Sequence, residues 1–394
     1  MLKQKIAKLA SRIHQDVIDI RRHLHKNPEL SFQEYQTSAF VAEALDKLGI
    51  PYQKMANTGI VALLSGNKYS DKVVALRADM DALPIVEANE VSYSSKNPGV
   101  MHACGHDAHT SSLLGTARIL KELKEDFGGT VKFIFQPAEE KLPGGASLMI
   151  KEGVLENPKP GAVIGQHVMP LIQAGKVGFR SGKYMASTDE IYVTVHGKGG
   201  HGAQPQQNID PVVIASHIII ALQQIVSRVA DPKLPSVLSF GKVIANGATN
   251  VIPNEVTMEG TFRTMDEDWR AQAHQKMKKM AEGIAEAMGG RCDFNIVNGY
   301  PFLVNEEKLT ADVRGYAEEY LGKENVEDLD IWMAAEDFAY YSQVADACFY
   351  RLGTRNEDRG ITSSVHTPTF DIDEKALDVS TGLMAYIALR QLGN

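Results

Sequence analysis

The stretch Thr130-Val131-Lys132-Phe133-Ile134-Phe135-Gln136-Pro137-Ala138-Glu139-Glu140 decides how the first half of the chain is read. Thr130 to Phe135 predicts a buried strand, and it runs without a linker into a pair of acids. Pro143-Gly144-Gly145 then makes a tight turn into the next helix. Adjacent acids are ordinarily a solvated surface. Here they cap an apolar strand, and adjacent side chains on extended backbone diverge, so Glu139 and Glu140 are expected to differ in role. One binds a metal; the other faces water.

Working outward, Gln33 to Leu48 reads as an amphipathic helix stopped by Gly49 and Pro51. Gly59 to Leu64 and Val73 to Ala78 read as strands, the second ending on Asp79-Met80-Asp81, and Ala108 to Leu123 reads as a helix. The chemistry-bearing residues therefore fall at element ends, where open α/β sheets place their sites.

Between the second and third of these strands lies Met101-His102-Ala103-Cys104-Gly105-His106-Asp107. One thiol packed among imidazoles, after a Pro98-Gly99 turn, is poor context for a core cysteine. It is good context for a transition-metal site, because such ions take Cys sulfur and His nitrogen readily. Cys104 and His106 are the expected ligands, and a thiolate can bridge two ions. His102 and His109 are read either as donors behind the ligands or as ordinary polar residues. Asp79 and Asp81 could be ligands themselves. The favoured reading has them, with Asp107, standing behind the ligands, where a carboxylate orients a ligand His through its other nitrogen. His167, ending the apolar run that starts at Ala162, and His366, in Val365-His366-Thr367-Pro368, would each pass alone for structural histidines. In company with the first two clusters they become candidate ligands.

A different grammar begins near Tyr184. Strand (Glu190 to Val195), helix (Asp210 to Val229), two strands (Ser236 to Ala245, Glu255 to Phe262), helix (Asp266 to Met288) and strand (Arg291 to Val297) make a β-α-β-β-α-β, ferredoxin-like order. After Asn298 the α/β character resumes. The expected fold is α/β: one catalytic domain in two pieces, 1–183 and 298–394, interrupted by a small domain over 184–297. His201, in Gly199-Gly200-His201-Gly202-Ala203, lies in that insertion and by itself is a loop histidine of no evident purpose.

Composition narrows the classes. A chain of 394 residues, 44% hydrophobic and 23% charged, has two or three ordinary domains' worth of core. The formal charge is 41 minus 49, or −8, without a basic run, which argues against a nucleic-acid partner. The three cysteines, Cys104, Cys292 and Cys348, are far apart and make no disulfide framework, so a reducing, cytoplasmic location is expected. Polar residues among Met1 to Asp19 leave no signal-peptide core. Val212 to Val226, the longest greasy stretch, is interrupted by Ser216, His217, Gln223 and Gln224 and reads as too short and polar to span a bilayer.

Taken together, Met-His-Ala-Cys-Gly-His-Asp at 101–107, Gln-Pro-Ala-Glu-Glu at 136–140, Gly-Gly-His-Gly-Ala at 199–203, Glu-Asp-Phe at 336–338 and His-Thr-Pro at 366–368 resemble one family over essentially the whole chain. It is the aminoacylase and carboxypeptidase family of dinuclear metallohydrolases, in the branch of hippurate hydrolase and the auxin-conjugate amidohydrolases. The resemblance implies a zinc-peptidase-like catalytic domain on a central mixed sheet, with the insertion as a lid through which two subunits dimerise. It implies two divalent transition-metal ions (manganese, zinc, nickel or cobalt) on Cys104, His106, Glu140, His167 and His366, with Cys104 bridging. Glu139 becomes the general base and acid, His201 an oxyanion donor reaching the partner's site, and Asn250 and Arg263 the groups that hold a substrate carboxylate. The reaction implied is hydrolysis of N-acyl amino acids, with short peptides as the nearest alternative. One departure is visible: the lid motif usually continues Pro-His, and this chain has Pro205-Gln206. Two rival readings stand beside this one: a metal-free amidase with a Cys104 nucleophile and a His base, and a catalytically silent metal protein, which would have no use for a free Glu139.

Overall fold

The computed structural model describes residues 2–394. The chain divides into two compact units. The catalytic unit comprises the residues up to Gly182 together with Val304–Ile331 and Asp337–Asn394.

Its core is an eight-stranded mixed sheet in the order Tyr52–Met55, Gly59–Ser65, Gly128–Gln136, Lys68–Asp79, Ala162–Gln173, Ala347–Arg355, Val177–Phe179, Val326–Asp328. The four central strands, Gly128–Gln136 through Ala347–Arg355, run parallel. Strands in such a position are covered on both faces and read as apolar runs rather than alternations. Gly128–Gln136 is buried at nearly every position, which explains why its sequence shows no period of two.

Helices cover the sheet. In Leu2–Lys26 the buried positions Ile6, Ala10, Ile13, Val17, Ile18 and Leu24 recur at helical spacing, and this helix packs against His106–Glu122 and Ala376–Gln391. Each large aliphatic side chain so buried contributes about 1.5–3 kcal/mol. The sequence expectations hold no element here, where the structure has a 25-residue helix.

The second unit comprises Lys183–Leu303 and a short return, Trp332–Glu336. Its sheet has the order Ser236–Ile244, Glu255–Thr264, Asp189–His196, Arg291–Asn298, with every neighbour antiparallel. That is the expected β-α-β-β-α-β arrangement. Ile191, Val193 and Val195 point to one face, where they meet Ile214, Ile218 and Leu222 of Pro211–Gln224 and Ala273, Met277 and Ala281 of Glu267–Ala287. Two differences from the sequence reading stand out. The insertion expected over 184–297 also takes in 332–336, because Ala186 donates to the carbonyls of Trp332 and Ala334, a pairing with no sequence period. The apolar helix continues through Val229, and its 19 residues, with mean hydropathy 1.7, are long and apolar enough to cross a membrane, contrary to the reading of Val212 to Val226. Its polar side chains fold back on its own backbone, as Ser216 does on Val212, while its inner stripe fills the core.

Candidate metal centre

Lys68–Asp79 and Gly128–Gln136 end level with each other, Asp79 opposite Gln136. From that edge three loops deliver the candidate ligands. Gly105 caps the helix His106–Glu122 with φ +79°, and a Cβ there would lie 2.6 Å from a methyl of Val168, so only glycine lets the Cys104 loop pass the strand that carries His167. Ala138 (φ +49°) and His366 (φ +62°) take left-handed backbone without being glycine. Such conformations cost about 1–3 kcal/mol and cluster at functional sites. Here they are held in place: Ala138 N–H donates to Glu34 (2.8 Å) and His366 N–H donates to the Ala103 carbonyl (2.7 Å).

The expected ligands converge. Cys104 Sγ lies 3.3 Å from His167 Nε2 and 3.3 Å from His366 Nε2, and His366 Nε2 lies 3.1 Å from Glu140 Oε1. Among the described residues five groups of three could hold an ion, and two consist of the expected ligands alone, Cys104–His106–His167 and Cys104–Glu140–His366, each with its atoms within 4.8 Å of one another. Both contain Cys104. Donors bound to one ion at the usual Zn–S and Zn–N lengths are spaced by about 3.5 Å, which these separations match.

The donor chemistry fits cations as well. His106 Nε2 is buried with no hydrogen-bond partner among the described residues. Burial, then the carboxylates of Glu140, Glu139 and Asp79, push the Cys104 thiol well above its ordinary range. Burial opposes charge on His106, yet Asp79, Asp81 and Glu140 together push its pKa up to about 10. A pocket that resists one more negative charge and raises a histidine so far is one that draws in positive charge. His167 is held well below its usual value by burial, with Arg351 and His109 adding to it, so it presents a neutral nitrogen. Its Nδ1–H donates to the Val168 carbonyl (2.7 Å), which leaves Nε2 to the site.

Behind the donors, Asp81 accepts from His106 Nδ1 (3.2 Å), from the N–H groups of Glu139 and Glu140 (3.0 Å each) and from Ser31 (2.6 Å). It orients a histidine and a loop together. Asp79 accepts from His109 Nδ1 (2.5 Å) and Arg77 Nη1 (2.7 Å). His109 Nε2 in turn accepts from Val168 N–H (2.9 Å), so both its nitrogens are used in structure and it is no ligand. Asp107 departs from the expectation. Its carboxylate binds Arg21 Nε (2.8 Å) and His25 Nδ1 (2.7 Å) rather than any donor, because in the first turn of its helix it faces the N-terminal helix. It anchors the scaffold.

Glu139 is buried and accepts from the Asp337 N–H (3.3 Å); it groups with His106 and Glu140 but not with Cys104. The paired acids thus do separate, though not by strand alternation, since the strand stops at Gln136 and the left-handed Ala138 turns the chain. Arg77 and Asp337, both wholly buried around this loop, were missed. The signals were an arginine inside the apolar run Val73 to Ala78 and the acid in the 336–338 motif.

In the second unit, His201 and Asn250 come together. Gly200–His201 pairs with Val251–Ile252, and Gly202 N–H donates to the Asn250 carbonyl (2.9 Å). Arg263 is not with them. It sits at the other end of Glu255–Thr264, with Nη1 donating to the Met333 carbonyl (3.3 Å).

A buried donor cage sharing one cysteine sulfur at the end of the parallel strands, with the Glu139 carboxylate beside it, is the kind of site a metal-dependent hydrolase uses. The sequence comparisons agree with that class. Residues 75–390 match the model of peptidase family M20/M25/M40, and the chain belongs to that family. It is similar to an N-acyl-L-amino acid amidohydrolase of Geobacillus stearothermophilus (45% identical, 78% of this chain and 83% of that one). It is also similar to an N-acetyl-L-cysteine deacetylase of Bacillus subtilis strain 168 (41%, 93% and 86%). Among solved structures it matches a dinuclear metal-binding M20 peptidase from Bacillus subtilis with TM-score 0.81 and 34% identity, covering 97% and 99% of the two chains. The resemblance read from five motifs is confirmed, and the reaction class is metal-dependent amide hydrolysis. The rival Cys104 nucleophile falls with it. An activated thiol needs a lowered pKa, and this one is raised.

Proposed function

We propose that the chain hydrolyses N-acyl amino acids, using two divalent ions on Cys104, His106, Glu140, His167 and His366. The observation that carries this reading is the pair of donor groups meeting at Cys104. The ions, manganese, zinc, nickel or cobalt, supply Lewis acidity toward water and the scissile carbonyl. Glu139 takes the proton of the attacking water and hands it to the leaving nitrogen, so that it serves as base and then acid. Arg263 binds the substrate carboxylate with its forked guanidinium. The test offers acetyl, benzoyl and indoleacetyl amino acids beside dipeptides, with chelation and add-back of each metal. A preference for peptides would move the reading to a peptidase; activity that survives chelation would end it.

His201 and Asn250 serve the second copy of a homodimer. Arg263 and Glu255 are eight residues apart on one strand, about 26 Å at strand rise, and the His201 ribbon lies toward the Glu255 end. One lid therefore does not bring Arg263 and His201 to the same small substrate. The surface to pair is present: Ser236–Ile244 is an edge strand with Val237 and Val243 exposed, and Val212, Val213 and Ile220 are exposed on the neighbouring helix. His201 then donates to the developing oxyanion of the partner's substrate, an interaction worth about 3–4 kcal/mol per donor. The buried, unpaired Cys104, Cys292 and Cys348 support the cytoplasm as the location.

A further inference from the structure

We propose that Arg77 is a positioning residue that sets Glu139 against the metal-ligand cage, a role that rests on the reading of Glu139 as the base. Arg77 is wholly buried in Lys68–Asp79. Its guanidinium fans over three acceptors on three chain segments: Nε donates to Gln136 Oε1 (2.9 Å), Nη1 to Asp79 Oδ2 (2.7 Å) and Nη2 to Asp337 Oδ1 (2.8 Å). Each acceptor leads to a different part of the site.

Asp79 holds His109, and its Oδ2 stands 3.6 Å from His106 Nε2, so this arm reaches the cage. Gln136 is the last residue of the strand before the Glu139 loop, and its amide also donates to both oxygens of Asp337 (2.8 Å each). Asp337 further accepts from Ala146 N–H (3.0 Å), and its own N–H donates to Glu139 Oε1. The guanidinium is thus the shared member of two arms, one ending at a ligand histidine and the other at the catalytic carboxylate. The packing preserves this arrangement. Gly165 is the register partner of Arg77, and a Cβ there would lie 2.8 Å from Phe338, the residue after Asp337. Asp337 is also the residue at which the chain re-enters the catalytic unit.

Arginine presents its donors in a rigid planar fork that spans three separate acceptors, whereas the three donors of lysine radiate from one nitrogen. The wholly buried guanidinium is little screened by solvent, and a displacement of about 1 Å at a reacting group costs about 100-fold in turnover.

The experiment uses full-length protein loaded with manganese, in the variants Arg77→Met, Arg77→Lys and Asp337→Asn, with Glu139→Gln as reference. Metal per chain, kcat and KM on an N-acetyl amino acid are measured. Expected are unchanged metal content, little change in KM and a kcat lowered about 100-fold in Arg77→Met, with Arg77→Lys recovering part of the loss and Arg77→Met/Asp337→Asn no slower than Arg77→Met. A kcat that stays at the wild-type value, or that falls only in step with lost metal, overturns the proposal. Should Arg77→Met not fold, Asp337→Asn decides on the same readouts, since it keeps the N–H to Glu139 and loses the ion pair. A fully active Glu139→Gln would instead remove the base assignment, and this role with it.

Discussion

Asp81 Oδ1 accepts from His106 Nδ1 at 3.2 Å, and the same carboxylate takes the N–H groups of the two residues that carry the acid chemistry, Glu139 and Glu140. One buried side chain therefore sets the ring plane of a ligand and the path of the loop opposite it. Removing its charge without its shape tests that. Asp81→Asn should weaken metal binding by about 10–100-fold, as seen generally when a carboxylate behind a ligand histidine is lost. Metal titration in competition with a chelator reads this directly, and an unchanged affinity would show that the loop needs no such support.

Glu139 and Cys104 should separate in their effects. Glu139→Gln is expected to keep its metal and lose about 100–10,000-fold in kcat, the range attributed to a positioned acid or base. Cys104→Ala should lose metal, because both donor groups include its sulfur. Elemental analysis beside steady-state kinetics distinguishes the two patterns. Metal loss in Glu139→Gln would make that residue a ligand.

The spacing of His201 and Arg263 along the lid predicts complementation. Neither His201→Ala nor Glu139→Gln should turn over substrate well, but mixed dimers combining them carry one site with an intact base and an intact partner histidine. Some activity should return, to at most about half the wild-type level for one functional site in two. Verified heterodimers that stay inactive would place His201 in its own subunit's site or outside the chemistry.

Asp189 predicts a pH dependence confined to the lid. Burial raises its pKa, but the hydrogen bonds of His274 (2.7 Å) and Arg270 (3.0 and 2.6 Å) outweigh that and hold it below the ordinary carboxylate value. With the folded pKa below the unfolded one of about 3.9, the stabilisation is complete above that value and is lost as pH falls through the folded pKa. Hydrogen-exchange protection in Asp189–His196, taken relative to the intrinsic exchange rate at each pH, should hold down to about pH 4 and fall on further acidification. Asp189→Asn should flatten this change and cost about 3–5 kcal/mol at neutral pH, as loss of one member of a buried pair does. An unaltered pH profile in the variant would assign the acid sensitivity to other carboxylates.

Much of the centre was legible in the chain because ligand chemistry is written in residue type. Cys104, His106 and Glu140 stand in short motifs at strand and helix ends, where a core reading fits poorly. His167 and His366 were legible only in their company. Asp107 misled for a simple reason: adjacency to a ligand in sequence says nothing about which way a helix turns it, and this helix turns it toward Arg21. Asp337 stood in a quoted motif and Arg77 in an apolar run, but neither had a legible role, since they are each other's partners across 260 residues.

Periodicity and residue chemistry, both local properties, were enough to determine the alternating α/β halves, the inserted β-α-β-β-α-β unit and the kinds of atom available to a metal. Which of those atoms meet, that one sulfur belongs to two donor groups, and that Arg77 joins Asp79 to Asp337 were decided only by the tertiary structure. The cause is physical: these relations depend on sheet order and loop closure across distant segments, and no short window of sequence encodes a distance between its own residues and those hundreds of positions away.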